Sequence, residues 1–304
     1  MSFSQHGTRV VQILLESISG YWHKNKSLHF EMLAIVSEFN QDALAMCMHT
    51  NGNHVIQTIL NHFKASEEPQ DADIDGSEDC QQFTDFVFEA CMTWPVEIGT
   101  HKQGCCVMQR CLEKGRLSQK EDLARVIIQK MAALIEDPFG NYLVQNVLKM
   151  KNEEINAQIF AFIASDFIRL SKLKFSSNVI EKCLESEAAQ AKQITSILKG
   201  THAQDDVSLV TLLGKDSRDQ SKRVRAIVEQ LATHQFGNYV LQKTIFIEVE
   251  WPLKKLLLEE IKLRSLDLLD TKHGPKVLQK LKATYPRIFA GAPVTEGQRA
   301  EKPL

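Results

Sequence analysis

The chain lacks the features that membrane, secreted and strand-rich proteins require. No apolar run approaches the roughly 18 residues of a membrane span, and no signal peptide is visible, so neither insertion nor secretion is expected. Strand signals are scarce, which predicts an all-α fold. The seven cysteines, an odd number, lie mostly in apolar helical contexts. That usage indicates reduced thiols in the cytosol or nucleus rather than a disulfide framework, and we expect a cytoplasmic protein.

A strong charge of either sign is also missing. The formal net charge of −2 argues against a polycation that binds anions nonspecifically and, taken alone, lowers the odds of nucleic-acid binding. The acids are concentrated, because segment 65–82 holds seven of them and no base, and the rest of the chain carries 36 bases against 31 acids. Residues 64–82 are therefore predicted to form a disordered acidic insertion. Residues 201–222, rich in Asp, Gln and Ser, are predicted to form a second insertion.

What the chain does contain is one pattern repeated seven times. Two copies are nearly identical, Phe-Gly-Asn-Tyr-Leu-Val-Gln at 139–145 and Phe-Gly-Asn-Tyr-Val-Leu-Gln at 236–242. In every copy a Gly or Ser precedes five residues, numbered here one to five, of which three and four are aliphatic or Met and five is Gln or Glu. The residues at position one are Thr8, Asn53, Cys105, Asn141, Ser177, Asn238 and Pro275.

The spacing of the motifs predicts a solenoid. Successive first positions are separated by 45, 52, 36, 36, 61 and 37 residues, so a base period of about 36 residues is interrupted by insertions. Periods of this length mark solenoids, in which each unit buries its apolar face against its neighbours. Residues 1–285 are predicted to form one repeat domain whose last unit is a cap, and residues 286–304 a flexible tail. Because no helix precedes the first motif helix, the chain is expected to be a fragment without its upstream repeats.

Apolar periodicity gives a coarse set of helices. Motif helices are predicted at 8–17 and 53–63, an apolar-periodic segment at 28–48, and one amphipathic helix at 251–269. On a motif helix, positions one and five share a face with position two beside them, whereas positions three and four turn to the core. Each motif is therefore expected to present a narrow polar face to the outside.

The polar face could read nucleobases by hydrogen bonding. A carboxylate can accept from guanine N1–H and its amino group, two amides can satisfy the acceptor–donor–acceptor edge of uracil, and a Gln amide beside a small residue can match adenine. Position two would supply stacking surfaces. On this hypothesis the pairs are Asn53/Gln57, Asn141/Gln145 and Asn238/Gln242 for uracil, Ser177/Glu181 for guanine, and Thr8/Gln12 and Cys105/Gln109 for adenine. The residues at position two are Arg9, His54, Cys106, Tyr142, Asn178 and Tyr239.

These motifs resemble those of the Pumilio (PUF) family over about residues 5–285, and Ser-Asn-Val-Ile-Glu at 177–181 beside an Asn-Tyr-x-x-Gln motif is particularly specific. The resemblance implies a curved right-handed α-solenoid that holds single-stranded RNA on its concave face, with C-terminal repeats on the 5′ bases. With that direction and the family's pairing rules, the six residue pairs at positions one and five predict the RNA sequence 5′-UGUAUA-3′. Family members usually have eight repeats, and the pair Pro275 and Lys276 fits no reader.

The resemblance also implies a biological role. The expected targets are UGUA-containing elements in the 3′ untranslated regions of messenger RNAs. The expected effect is translational repression or mRNA decay through deadenylase components, and the expected state is a monomer. Two alternatives stay open: a protein-binding solenoid that has lost RNA binding, and a ribosome-biogenesis relative that binds RNA by shape.

Other chemistry has weak support in the sequence. The cluster of His101, Cys105, Cys106 and Cys111 lacks paired-ligand spacing, so no metal and no cofactor is expected. No third residue orients a Cys–His pair, and no Gly-rich anion loop is present, so the protein is not expected to be an enzyme. Three cations directly follow position five, where they either contact phosphates or are merely solvated; these are Arg110, Lys182 and Lys243.

Overall fold

The computed structural model describes residues 3–21, 25–63, 77–185, 217–246 and 251–291. Within these ranges the backbone is helical or turns between helices, and no β-strand occurs. The prediction of an all-α fold is therefore confirmed. The chain packs as two compact units, Met1–Asn156 and Ala157–Leu304. The prediction of a single repeat domain over 1–285 stays a prediction.

In the first unit, a motif helix is followed by three-helix repeats. Each repeat has a long helix, a short helix of four to six residues and a motif helix. The motif helix α1 spans Gln5–Ser19. The repeats that follow are α2 Lys26–Gln41, α3 Ala43–Met48 and α4 Gly52–His62; α5 Ser77–Thr93, α6 Pro95–Gly99 and α7 Lys102–Lys114; and α8 Leu117–Gln129, α9 Met131–Leu134 and α10 Gly140–Lys149.

The second unit repeats the arrangement, and the boundary between the units falls inside its first long helix. A turn over residues 232–236 replaces the short helix in the repeat that contains Asn238. The helices described are α11 Glu153–Ser165, α12 Phe167–Ser171 and α13 Ser176–Glu185; α14 Ser217–Leu231 and α15 Gly237–Phe246; and α16 Trp251–Leu263, α17 Ser265–Leu269 and α18 Gly274–Thr284.

Motif helices stack on one another and carry the core. In the first unit α1 packs on α4, α4 on α7 and α7 on α10, and in the second α13 packs on α15. Burial of a large aliphatic side chain contributes about 1.5–3 kcal/mol, so these layers hold the repeats together. The residues at positions three and four of five successive motifs are at most 1% exposed: Val55, Ile56, Val107, Met108, Leu143, Val144, Val179, Ile180, Val240 and Leu241.

The first motif departs from this pattern. Val10, at position three of α1, is 61% exposed, so the expectation of a buried apolar face is wrong for this residue. The buried residues of α1 are instead Thr8, Leu15 and Ile18. Helix α1 packs on α4, and its burial is confined to the face of those three residues, from which Val10 points away.

Several predicted boundaries were also wrong. Helix α5 begins at Ser77 and α14 at Ser217, so residues 77–82 and 217–222 are helical and not part of insertions. The remainder of both insertions, 64–76 and 201–216, lies outside the described residues. Phe289 is 3% exposed, so the start of the predicted flexible tail packs against the fold. Residues 292–304 lie outside the described residues.

Two segments predicted to be continuous are divided in the structure. Segment 28–48 breaks at Asp42 and segment 251–269 breaks at Arg264. Asp42 has φ −110° and ψ 14°, and Arg264 has φ −101° and ψ 17°. This bridge conformation ends one helix and starts the next in a new direction. Apolar periodicity continues across both breaks, which is why the sequence alone did not show them.

At Gly104 and Gly140 the glycine before position one lets the motif helix begin against the backbone of the preceding short helix. A Cβ atom on Gly140 would lie 2.6 Å from the carbonyl oxygen of Leu134, and one on Gly104 would lie 2.3 Å from that of Ile98. The motif of Ser177 has Ser176 at this place, whose Oγ donates to the Leu170 carbonyl at 2.6 Å. The close approach fixes where the motif helix begins.

We predict that Gly140→Ala lowers the free energy of unfolding by about 1–3 kcal/mol, because the added methyl overpacks a backbone contact. Urea denaturation followed by circular dichroism measures the change. Gly20→Ala is the control, because a Cβ atom there would have no heavy atom within 4 Å. Equal stability of the two variants would contradict the close approach described above.

Candidate nucleic-acid interface

The five successive motifs from Asn53 to Asn238 share one pattern of burial. Position two is exposed and position five is half-buried in all of them. Position one is almost inaccessible: the exposed fractions are 3% for Asn53, 2% for Cys105, 1% for Asn141, 2% for Ser177 and 1% for Asn238. The expectation that positions one and five are both presented to the outside is therefore wrong for position one.

The buried asparagine closes the turn that precedes its own helix. Asn141 Nδ2 donates to the carbonyl oxygens of Asp137 at 2.9 Å and Pro138 at 3.0 Å. Its Oδ1 accepts from Gln145 Nε2 at 2.9 Å. The other two Asn–Gln motifs contain the same three bonds at 2.7–3.1 Å: Asn53 with His49, Thr50 and Gln57, and Asn238 with His234, Gln235 and Gln242.

This network orients the glutamine amide. Both Nδ2 hydrogens of the asparagine are engaged by the backbone, and the glutamine uses one of its own N–H groups on the asparagine oxygen. The glutamine keeps its Oε1 and its second N–H, an adjacent acceptor and donor. That pair complements the N3–H and O4 of uracil. The structure confirms that positions one and five share a face, and it makes position five the outward-facing group.

The motif of Cys105 uses a thiol in place of the asparagine. Cys105 Sγ donates to the Phe139 carbonyl at 3.1 Å, and Gln109 Nε2 donates to Cys105 Sγ at 3.0 Å. Burial raises the pKa of the Cys105 thiol to about 11, so the thiol stays neutral at physiological pH. Gln109 Oε1 accepts from Asn146 Nδ2 at 2.9 Å, which links this motif to the next one. Asn146 was not singled out from the sequence, although it follows position five as Arg110 does.

The motif of Ser177 has the only acid at position five among the motifs. Ser177 Oγ donates to the Lys174 carbonyl at 3.3 Å. The residue at position one in this motif therefore donates to the backbone and not to Glu181. Among the described residues, no hydrogen bond or ion pair engages the Glu181 carboxylate. Burial raises the pKa of Glu181 above its ordinary value, while the Lys243 ammonium opposes that rise. Two free carboxylate oxygens can accept from two adjacent donors.

The residues at position two form an exposed set beside these groups. Tyr142 is 51% and Tyr239 46% exposed, so both tyrosines lie outside the core, as predicted. The Tyr239 ring lies 6.0 Å from the His273 ring at an interplanar angle of 56°. Aromatic faces of this kind stack on splayed bases. The other residues at position two, Arg9, His54, Cys106 and Asn178, are exposed as well, and Thr8 is buried while Gln12 is half-buried.

Sequence reasoning missed the residues that cap the motif helices. Asp137 Oδ1 accepts from the backbone N–H groups of Phe139 and Gly140, both at 2.8 Å. His234 Nδ1 occupies the same place and accepts from Phe236 at 3.3 Å and Gly237 at 3.2 Å. His49, His101 and Thr271 cap their motif helices in the same way. The available signal was a His, Asp or Thr three residues before the motif glycine.

The histidine caps require an unprotonated Nδ1, since both ring nitrogens of a protonated histidine are donors. Burial and the nearby Lys172 ammonium lower the pKa of His234. The folded state therefore favours the neutral ring. The resulting stability is fully present above the unfolded-state pKa of about 6.5, and it is lost as the pH falls toward the lower folded-state value.

We predict that His234→Asp loses less stability between about pH 7.5 and about pH 5.5 than the wild type, because a carboxylate remains an acceptor over that range and loss of a cap costs about 1 kcal/mol. Urea denaturation at both pH values measures the difference. Asp137 shows that the carboxylate fits this place. The remaining histidines are common to both proteins and cancel, so identical pH dependence would exclude a neutral histidine cap.

The described residues contain no group of three or more His, Cys, Asp or Glu side chains that could hold a metal ion. None of the helices described is both long and apolar enough to cross a membrane.

The fold and the interface together define a helical-repeat protein that presents one outward amide or carboxylate and one exposed residue at position two in each of five successive repeats. Comparison with known families agrees. The Pumilio-family RNA binding repeat matches residues 1–21, 42–67, 96–128, 130–164, 167–197 and 228–245. These segments cover more than half of the chain, and the chain therefore belongs to the Pumilio family.

Curated relatives extend the similarity over most of the chain. A Pumilio domain-containing protein of Schizosaccharomyces pombe is 29% identical over 94% of this chain and 35% of its own length. Pumilio homolog 12 of Arabidopsis thaliana is 28% identical over 92% of this chain and 39% of its own length. The chain thus spans little more than a third of either relative.

Solved structures show the same fold. The RNA-binding domain of yeast Puf5p, bound to SMX2 RNA, superimposes with a TM-score of 0.68 at 26% identity, over 94% of this chain and 75% of that domain. The Puf4 RNA binding domain, bound to an HO endonuclease RNA 3′ UTR recognition sequence, gives a TM-score of 0.65 at 27% identity, over 91% and 74%.

Proposed function

We propose that this protein binds single-stranded RNA sequence-specifically and that its preferred element contains UGUA, read along the chain as 5′-UGUAUA-3′. One observation carries the proposal. The burial pattern of the motif is the same in five successive repeats, whereas the chemistry at positions one and five changes from repeat to repeat. A constant frame with variable outward groups is what one-base-per-repeat reading requires.

The solved relatives support RNA as the ligand. The structures of Puf5p and Puf4 both contain bound RNA, and the Puf4 ligand is a 3′ UTR recognition sequence. The motifs of this chain keep the polar and stacking residues that such binding needs. In this scheme the uracils meet Gln242, Gln145 and Gln57, guanine meets Glu181, and the adenines meet Gln109 and Gln12.

Base recognition, more than charge, is expected to supply the affinity. Stacking on aromatic side chains contributes about 1–3 kcal/mol per base in single-strand binders, and Tyr239, Tyr142 and His54 are placed for it. The cations after position five are already engaged by acids, since Arg110 pairs with Glu113 at 2.9 Å and Lys182 with Glu185 at 3.0 Å. Phosphate contacts should therefore be few, and the salt dependence of binding should be shallow.

The biological role extends this proposal to the whole protein. We propose that its targets lie in 3′ untranslated regions of messenger RNAs and that binding leads to repression or decay through deadenylase components. On this account the protein is cytoplasmic and monomeric. The Puf4 recognition sequence is the nearest support for this account.

We predict that the double substitution Ser177→Asn with Glu181→Gln changes the preferred second base from G to U, with an affinity ratio of about tenfold or more in favour of U. The reason is that the mismatched base leaves a buried donor or acceptor unpaired, which costs about 1–3 kcal/mol. The new pair would copy the network of Asn141 and Gln145. Fluorescence anisotropy with 5′-UGUAUA-3′ and 5′-UUUAUA-3′ measures the change.

The reciprocal variant is the matched control. Asn141→Ser with Gln145→Glu should move the preference at the third base from U to G and leave the second base unaffected. A double variant at 177 and 181 that still prefers G would show that these residues are not the reading pair.

A further inference from the structure

We propose that Glu185 is a positioning residue for guanine recognition: it holds Lys243 and Lys182 in ion pairs and so leaves the Glu181 carboxylate free to accept from the base. The proposal rests on the proposed function, because it concerns the same reader. It adds a residue that lies outside the five-residue motif and acts across two repeats.

The ion pairs use both oxygens of Glu185. Lys243 Nζ lies 2.6 Å from Glu185 Oε1, and Lys182 Nζ lies 3.0 Å from Oε2. The two ammonium groups lower the pKa of Glu185, so it is ionised at physiological pH. Lys243 belongs to α15 and Glu185 to α13, so one of these pairs joins two neighbouring motif helices.

Glu181 and Glu185 compete for the same lysine. They are four residues apart on α13 and therefore lie on one face of the helix. Lys243 is near enough to Glu181 to oppose the rise of its pKa, yet its ammonium hydrogen-bonds to Glu185. If Lys243 moved to Glu181, the N1–H and amino group of guanine would have to displace an ammonium before they could reach the carboxylate.

The chain contains a matched motif in which this competition does not arise. Glu113 stands at the same distance from Cys105 as Glu185 does from Ser177, and it pairs with Arg110 at 2.9 Å. The residue at position five is the neutral Gln109, which offers a cation no charge partner. An acid–cation pair therefore occurs at the same place in both repeats. Only in the repeat of Ser177 is the residue at position five a carboxylate that could compete for the cation.

The test is Glu185→Gln. It should lower the preference for 5′-UGUAUA-3′ over 5′-UAUAUA-3′ by about two- to five-fold, the range expected when an exposed ion pair is redirected. Removal of an acid should not weaken binding to the mismatched RNA, since RNA is an anion. The loss is therefore expected in base preference and not in general affinity.

Rescue and control variants separate this role from a structural one. Glu185→Gln with Lys243→Gln should restore the preference, because the competing ammonium is gone. Glu113→Gln should leave the preference at the fourth base unchanged. Unaltered preference in Glu185→Gln, or failure of the Lys243→Gln rescue, would overturn the positioning role.

A second measurement does not depend on RNA. Carboxyl-carbon NMR titration of Glu181 in the free protein should show that Lys243→Gln raises its pKa more in the Glu185→Gln background than in the wild type. Equal increases would overturn the proposal. If the wild type showed no preference for G, the proposed function would fail, and the titration would still decide whether Glu185 keeps Lys243 from Glu181.

Discussion

The close approach of a motif helix to the element before it is the constraint on which the interface depends. At Gly104 and Gly140 no Cβ atom fits between the two backbones. The contact fixes the start of the motif helix and buries position one against the preceding turn. The exposure of position two and the half-exposure of position five follow from the helical period of 3.6 residues. In these two motifs one backbone contact thus sets the direction of the reading group.

Within this frame, recognition is divided between two kinds of side chain. Position one is an internal partner: the side-chain amide of Asn141 donates to two backbone carbonyls, and its oxygen accepts from Gln145. Position five is the outward group, and its identity as amide or acid decides which base edge it can match. On the proposed function, changing the pair would change the preferred base without changing the fold. On the same proposal the surrounding charges matter as well, because Lys243 pairs with Glu185 and leaves the Glu181 carboxylate free.

The sequence predicted the motif helices, the all-α fold and the core of aliphatic pairs, because each depends on local periodicity. The breaks at Asp42 and Arg264 were missed, since the apolar pattern runs through them. The burial of Asn141 was missed for a different reason. A polar residue is expected at the surface, and its hydrogen-bond partners, two backbone carbonyls and Gln145, become visible only in the structure. The Glu185–Lys243 pair joins residues 58 apart, and no spacing rule connects them. The base assignments and the alternative of a protein-binding solenoid stay predictions.

The central claim is that the repeats of this chain read bases in the order of their motifs. Fluorescence anisotropy with a labelled RNA carrying 5′-UGUAUA-3′, against the same RNA with UGU changed to ACA, tests it most directly. Two salt concentrations are needed, because the electrostatic part of binding falls with salt and base readout largely does not. The account predicts a large preference for the first RNA that persists at the higher salt. Equal binding of both RNAs, or no binding of either, would contradict it.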